Sequence, residues 1–340
     1  MFNKVCLFLI TILFAGLIIT GAKQQGAWQQ NIVTSSDYTG RYVKNITVDN
    51  YRVTGENIQY YQAVPQRVIA VGENILETFA ALEIEDSLLL AIGYDNPFFR
   101  PDEQYAVRYN NISKQSVLNL NMEKVLSLRP DLIVGGQVLF SDSSLKSTRF
   151  WNALNVHTFC ALNANAPGSQ VRKETLEQEF AFITGLGKIF NKEKRAEEIV
   201  EAMQQDISIV QKTVKDRKKM RVMIIEDLGG WVVYGKDKLA GDICSRLGGE
   251  LISCKNIIGL EDIINAEPDI IFVVKSDGDP EKAAEDVKKI PVLRNLRCIK
   301  DNRVYGIALN YTYNSAVKTS AGIRLMAAAM YPDLAGKQGE

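Results

Sequence analysis

The sequence predicts an α/β fold: two Rossmann-like lobes with parallel sheets, joined by a single long α-helix. Three observations carry this. A phrase occurs twice, Met122-Glu123-Lys124-Val125-Leu126-Ser127-Leu128-Arg129-Pro130-Asp131-Leu132-Ile133-Val134 returning as Leu260-Glu261-Asp262-Ile263-Ile264-Asn265-Ala266-Glu267-Pro268-Asp269-Ile270-Ile271-Phe272. Its two glutamates stand 138 positions apart, too wide for a solenoid, whose period is about 20–50 residues, and right for two lobes of domain size. Short apolar runs alternate with amphipathic stretches in both halves, the grammar of parallel strands covered by helices. Between the halves lies one long stretch with helical periodicity.

The elements follow in order. Residues 1–22 read as a secretory signal: Asn3 and Lys4, an apolar run from Val5 to Ile19, then Thr20-Gly21-Ala22, with cleavage after Ala22. An uncleaved anchor is the alternative, since a span needs roughly 20 apolar residues; either version exports the chain. No cysteine follows the run, so an N-terminal lipid is not expected. Residues 23–60 form an extension with a short hairpin, from the rough alternation of Ile46, Val48, Tyr51, Val53, Ile58 and Tyr60. The first lobe, 61–168, holds strands at Arg67–Gly72, Leu88–Gly93, Leu132–Val134 and Val156–Cys160, with helices at Asn74–Leu82, Met122–Leu128 and one ending at Leu154. Tyr94 to Ser116 reads as a long loop.

A helical linker spans 169–218. Glu174–Leu186 is one helix, interrupted at Gly185 and Gly187. Asn191 is placed to cap the next, which carries Ala196, Ile199, Val200, Met203, Ile207, Val210 and Val214 at steps of three and four. From Lys192 to Asp216 it would run about 37 Å, a strut between lobes. The second lobe, 219–334, repeats the plan with strands at Arg221–Ile225, Ile270–Val274 and Val304–Ile307, and helices at Asp242–Leu247, Glu261–Asn265 and Ala321–Ala329. Residues 335–340 are a tail.

Composition narrows function. The 340 residues are 46% hydrophobic and 24% charged, and 40 basic residues balance 40 acidic ones. With no long basic run, nucleic acid is not an expected partner. After signal loss Cys160, Cys244, Cys254 and Cys298 remain; with His157 the lone histidine they match no zinc spacing, so no metal site of that kind is expected. Export permits disulfides, and Cys254 with Cys298 is the first pair to test. No Gly-x-Ser-x-Gly elbow, phosphate loop or His-Glu-x-x-His helix occurs. No enzyme activity and no cofactor are expected.

In the repeated phrase Asn121 is a plausible N-cap that places Glu123 in a first turn. Dipole complementarity, worth about 0.3–1 kcal/mol, explains one such acid; a matching acid at Glu261 suggests docking to a two-fold partner. The ordered set of signal, Pro-x-Arg-Val strand at Pro65, the phrase with Pro-Asp-(Leu/Ile)-Ile, a single long helix, and the second copy with Leu247-Gly248-Gly249 is specific. So are Ile290-Pro291-Val292, Asn302-Arg303-Val304-Tyr305 and Tyr331-Pro332-Asp333-Leu334 near the end. Over roughly 60–334 the chain resembles the substrate-binding proteins of ABC importers for iron–siderophore, haem and cobalamin cargo, the helical-backbone class. The resemblance implies a monomeric, exported receptor, periplasmic or held at the outer face of the cytoplasmic membrane, that opens only slightly. It also implies that Glu123 and Glu261 meet arginines on the two halves of a permease dimer.

Ligand candidates come from the carboxyl ends of the strands, where open α/β sheets bind. These are Glu73, Asn74, Tyr94 and Gln137 in the first lobe, and Trp231, Tyr234, Asp277, Tyr311 and Tyr313 in the second. The aromatics suit a broad or macrocyclic ligand. Arg100 and Arg108 are candidates to grip carboxylates of a chelate. The leading expectation is capture of an iron–siderophore-type chelate for an ABC permease. Open beside it are a receptor for haem, cobalamin or another metal species, with tyrosinate or carboxylate ligands, and a cleft enzyme holding a metallocluster on the same fold.

Overall fold

Strands buried on both faces need unbroken apolar runs, and the chain supplies them in two blocks. The computed structural model describes residues 40–162, 173–252 and 256–334; the signal segment and Cys254 lie outside the described residues. An antiparallel hairpin comes first, β1 (Arg41–Asp49) with β2 (Arg52–Tyr61). Five parallel strands follow: β3 (Val68–Val71), β4 (Leu88–Gly93), β5 (Lys114–Ser116), β6 (Leu132–Gly136) and β7 (His157–Ala161), in the order β5-β4-β3-β6-β7. Their helices are α1 (Glu73–Leu82), α2 (Glu103–Asn111), α3 (Met122–Leu128) and α4 (Thr148–Ala153).

The hairpin is part of this lobe's packing. Ile46, Val48 and Val53 share one core with Ile69, Val71, Ile133 and Trp151, and the Asn45 amide oxygen accepts the Cys160 N–H of the edge strand. The stretch 94–116 is not a bare loop: α2 and β5 lie within it. Only Tyr105 and Tyr109 of α2 are buried, too few apolar residues to announce a helix.

Two antiparallel helices join the lobes, α5 (Leu176–Ile189) and α6 (Glu193–Val214). The seven buried residues of α6 are the seven that its periodicity predicts. Its 22 residues span about 33 Å. Asn191 does not cap it. That residue sits at φ 58 in the turn between the helices, a left-handed position that asparagine tolerates, and its side chain accepts from Arg41. Nor do the two glycines interrupt α5. A Cβ at Gly185 would lie 2.4 Å from the Phe159 ring, and one at Gly187 would lie 2.5 Å from the Ala196 methyl. They are glycine because neighbours approach there. Gly187→Val is therefore expected to wedge α5 from α6 and lower stability by about 1–3 kcal/mol, read as a shift of the urea unfolding midpoint.

The second sheet is built on the parallel strands β8 (Arg221–Asp227), β12 (Ile270–Lys275) and β13 (Val304–Ala308). It has an edge that the sequence pattern does not announce: β9 (Trp231–Val233) pairs antiparallel to β8, β11 (Ile257–Ile258) pairs antiparallel to β9, and β10 (Glu250–Leu251) pairs parallel to β8. Helices α7 (Leu239–Arg246), α8 (Leu260–Ala266), α9 (Pro280–Lys288), α10 (Arg297–Lys300) and α11 (Thr319–Met330) complete the lobe. Cys160, Cys244 and Cys298 are buried free thiols, so Cys298 is not bridged; burial raises the pKa of all three and leaves them inert. Among the described residues no helix is long and apolar enough to cross a membrane.

Candidate ligand-binding site

The strand order of the first sheet reverses beside β3: the chain goes outward to β4 and later returns to β6 on the other side. A crevice opens at the carboxyl ends flanking such a switch point. Here those ends are Val71-Gly72 and Gly136. The turn from β3 into α1 is made by Gly72 at φ 113, a conformation closed to other residues, and it brings Glu73 and Asn74 to the rim. The ends of β12 and β13 face them with Ser276–Gly278 and Leu309–Asn310. Together they enclose a cavity of about 520 Å³ lined by both lobes, in the size range of small-molecule sites.

Five sequence candidates line this cavity: Glu73, Asn74, Tyr94, Asp277 and Tyr313. Tyr94, Phe98, Phe99 and Tyr313 form its aromatic wall, with Val138 and Leu309. Tyr94 is 47% exposed, yet desolvation by the cleft around it, with the Glu73 carboxylate nearby, pushes its phenol up to about 12. Burial, with Glu174 and Tyr94 adding to it, does the same to Tyr313. In the unliganded chain both phenols therefore stay protonated near neutral pH and can donate hydrogen bonds. Glu73 accepts the Tyr94 N–H at 2.6 Å, which sets the start of the aromatic segment against the rim.

The other six candidates stand elsewhere. Arg100 folds back on the carbonyls of Pro97 and Phe99, at 2.7 and 2.8 Å. Arg108 pairs with Glu85 and Glu83, just past the end of α1. Gln137 is buried and donates to the Leu162 carbonyl. Trp231 packs on the second lobe's core from strand β9, between β11 and β8. Tyr234 is buried, its hydroxyl 2.7 Å from Glu226. Tyr311 packs on the central core. None of these six is in the cavity wall.

What fixes the two walls relative to each other is a segment that no sequence motif marks. Residues 309–318 leave β13 and cross to α1 of the other lobe. The Asn74 amide donates to the Asn310 and Asn314 carbonyls, at 3.0 and 3.2 Å. Glu179 of α5 accepts the Ala316 N–H. Lys318, only 1% exposed, places its ammonium 2.9 Å from Glu77 and 3.0 Å from Asp102, with the Phe99 and Tyr311 rings 5.2 and 5.7 Å away. Asn314 and Ala316 sit at φ 45 and 47, strained positions held by these bonds. A lysine between Val317 and Thr319, leading into an apolar helix, was the available signal.

The repeated phrase folds into the same device twice. Asp131 accepts the N–H groups of Gln66 and Arg67, and the Arg67 side chain caps the Leu128 and Arg129 carbonyls. Asp269 likewise accepts the Arg221 N–H, and Arg221 reaches the Glu267 carbonyl. Arg129 and Glu267 close their helices in the left-handed conformation. Asn121 caps α3 through the Lys124 N–H. Glu123 and Glu261 have no share in this: both are exposed in first turns and make no ion pair among the described residues. Because α3 and α8 each run antiparallel to the strand that follows, both acids lie toward the cleft ends of their sheets.

A two-lobed α/β architecture with an inter-lobe cavity can be compared with known proteins. The sequence profile of the family described as periplasmic binding protein matches residues 68–310. The chain belongs to this family. Periplasmic binding proteins capture ligands and are not enzymes. A periplasmic binding protein from Veillonella parvula has a TM-score of 0.74 and 27% identity, over 90% of this chain and 98% of that one. The ferric-anguibactin-binding protein FatB of Vibrio anguillarum is 26% identical over 275 residues, 76% of this chain and 80% of FatB. The iron-uptake system-binding protein of Bacillus subtilis is 26% identical over 197 residues; that match spans 54% of this chain and a little over half, 57%, of the relative.

Proposed function

We propose that this periplasmic binding protein is the extracytoplasmic receptor of an ABC importer, capturing an iron–siderophore-type chelate between its lobes and delivering it to a permease dimer. The observation that carries the reading is the 520 Å³ cavity, walled from both lobes by aromatic rings. Such a wall suits a ligand that arrives with its metal already wrapped, by stacking and donor hydrogen bonds. Among the described residues no cluster of histidine, cysteine or carboxylate ligands is placed to hold a bare ion. The iron-uptake and ferric-anguibactin-binding relatives support the same class of cargo. Glu123 and Glu261 are proposed to seat the loaded receptor on the permease.

Isothermal titration of the purified chain against ferric chelates, haem and cobalamin tests this. One ferric chelate is expected to bind one-to-one at about micromolar affinity or tighter. Tyr313→Ala is expected to weaken it by about tenfold or more, the loss of one well-packed aromatic contact. Trp231 lies outside the wall, so tryptophan fluorescence is a poor reporter and heat is the better readout. A folded chain that binds no member of the panel overturns the proposal.

A further inference from the structure

From the charge of the cleft, and resting on the proposed chelate capture, we infer that the cargo is a neutral or cationic chelate bearing hydrogen-bond donors, and that polyanionic chelates are rejected. Among the described residues the cavity wall holds three carboxylates, Glu73, Asp95 and Asp277, and no lysine, arginine or histidine. The cations nearby are already engaged. Lys275 pairs with Asp277 at 3.2 Å; Arg100 is turned onto two backbone carbonyls; Lys318 lies behind Phe99, bonded to Glu77 and Asp102. With Glu77 and Asp102 behind the wall, the cavity and its surround hold five carboxylates against these three cations. A cleft lined by one sign of charge concentrates ligands of the other and repels its own.

The neutral polar groups point the same way. Two donor bonds to backbone carbonyls fix the orientation of the Asn74 amide, and its oxygen is left without a partner, as are the side-chain oxygens of Asn310 and Asn314. A buried acceptor left unmet costs free energy that a ligand N–H can recover. A ligand rich in carboxylate or phenolate oxygens adds acceptors to acceptors. Three hydroxamates, each singly charged, neutralise ferric iron, and a pendant ammonium makes such a chelate cationic with donors to offer. Three catecholates, each doubly charged, leave the complex trianionic.

The test is a matched set titrated calorimetrically at low salt and slightly alkaline pH. It comprises a ferric trihydroxamate with an ammonium arm, the same chelate with that arm acylated to end in a carboxylate, and a ferric tricatecholate. The ammonium form is expected to bind at least about tenfold tighter than the carboxylate form, the size of two unscreened charge contacts. The preference should shrink at high salt and fall away in Glu73→Gln/Asp277→Asn. Asp277→Asn alone, at the exposed rim, should remove part of it should the double variant fold poorly. Equal or tighter binding of the carboxylate form or the tricatecholate overturns the charge inference while chelate capture stands. Binding of none of the three by a folded chain overturns both.

Discussion

Lys318→Ala is expected to lower the stability of the folded chain by about 3–5 kcal/mol, the cost of leaving a buried charge without its partner. The ammonium is 2.9 Å from a Glu77 side chain that is 0% exposed, and it also holds Asp102 at 3.0 Å. Without it, the Glu77 carboxylate keeps the Asp102 N–H at 2.7 Å but no cation. The lost contacts with Phe99 and Tyr311 would add a cavity. Urea unfolding separates the two causes. Lys318→Met/Glu77→Gln removes the fully buried pair while keeping volume and leaves only the part-exposed Asp102 without its cation, so it should recover most of the loss, since neutral replacement of a buried pair is often nearly neutral. If the double variant is as unstable as Lys318→Ala, packing rather than charge is the origin. The crossing segment also carries Tyr313 and Asn314, so ligand affinity should fall in Lys318→Ala even where the protein remains folded.

The same pair gives the expected pH dependence. Burial, opposed by the Lys318 charge, pushes the Glu77 carboxyl up to about 7 from 4.5. The folded state therefore holds this proton more tightly than the unfolded one. That contribution to stability is complete below about 4.5 and is lost as pH rises through about 7. In Lys318→Ala the charge that restrains Glu77 is gone and its carboxyl moves higher still. The deficit of the variant should then be largest in alkaline solution and shrink on acidification, as Glu77 takes up a proton instead of remaining a bare anion. A deficit independent of pH, measured by urea midpoints across that window, would show that Glu77 does not titrate there.

What the sequence made legible was set by how local each cause is. The buried stripe of α6 is written at steps of three and four, and all seven of its residues are buried. The Leu88–Gly93 strand is a short apolar run ending at a glycine and has those bounds. Gly185 and Gly187 misled because a glycine that admits Phe159 or Ala196 looks, in sequence, like one that stops a helix. The site divides the same way. Glu73, Asn74 and Asp277 closely follow central strands, and strand ends can be read. Trp231 and Tyr234 follow a Gly-Gly turn that sends the chain back along β8, so an antiparallel strand unseen in the sequence carries them away from the cavity. The Glu77–Lys318 pair joins residues 241 positions apart, a contact that no pattern along the chain discloses.

Reversing both glutamates proposed to dock, Glu123→Arg/Glu261→Arg, is expected to cut uptake through the cognate permease on the order of a hundredfold, because like charges set against each other at an interface cost several kcal/mol. Cargo affinity in solution should be unchanged, since neither residue lines the cavity. The structure shows why these two acids are the ones to test. The other polar positions that recur with the phrase serve the fold itself. Asp131 and Asp269 tie down strand starts, and Arg67 and Arg221 cap the helix ends that Arg129 and Glu267 close. Those bonds account for the recurrence of Pro-Asp without any partner protein. They do not account for the glutamates, which contribute at most the dipole effect of an exposed first turn, about 0.3–1 kcal/mol. Thermal stability of the double variant should accordingly fall only slightly. Each single reversal should give a partial defect, because one lobe would still seat correctly. Exchanging the matching permease cations for acids should restore transport by the double variant. Reconstituted uptake that is indifferent to both reversals would leave the twin acids as helix-end charges inherited with the repeat, and would place docking on another surface.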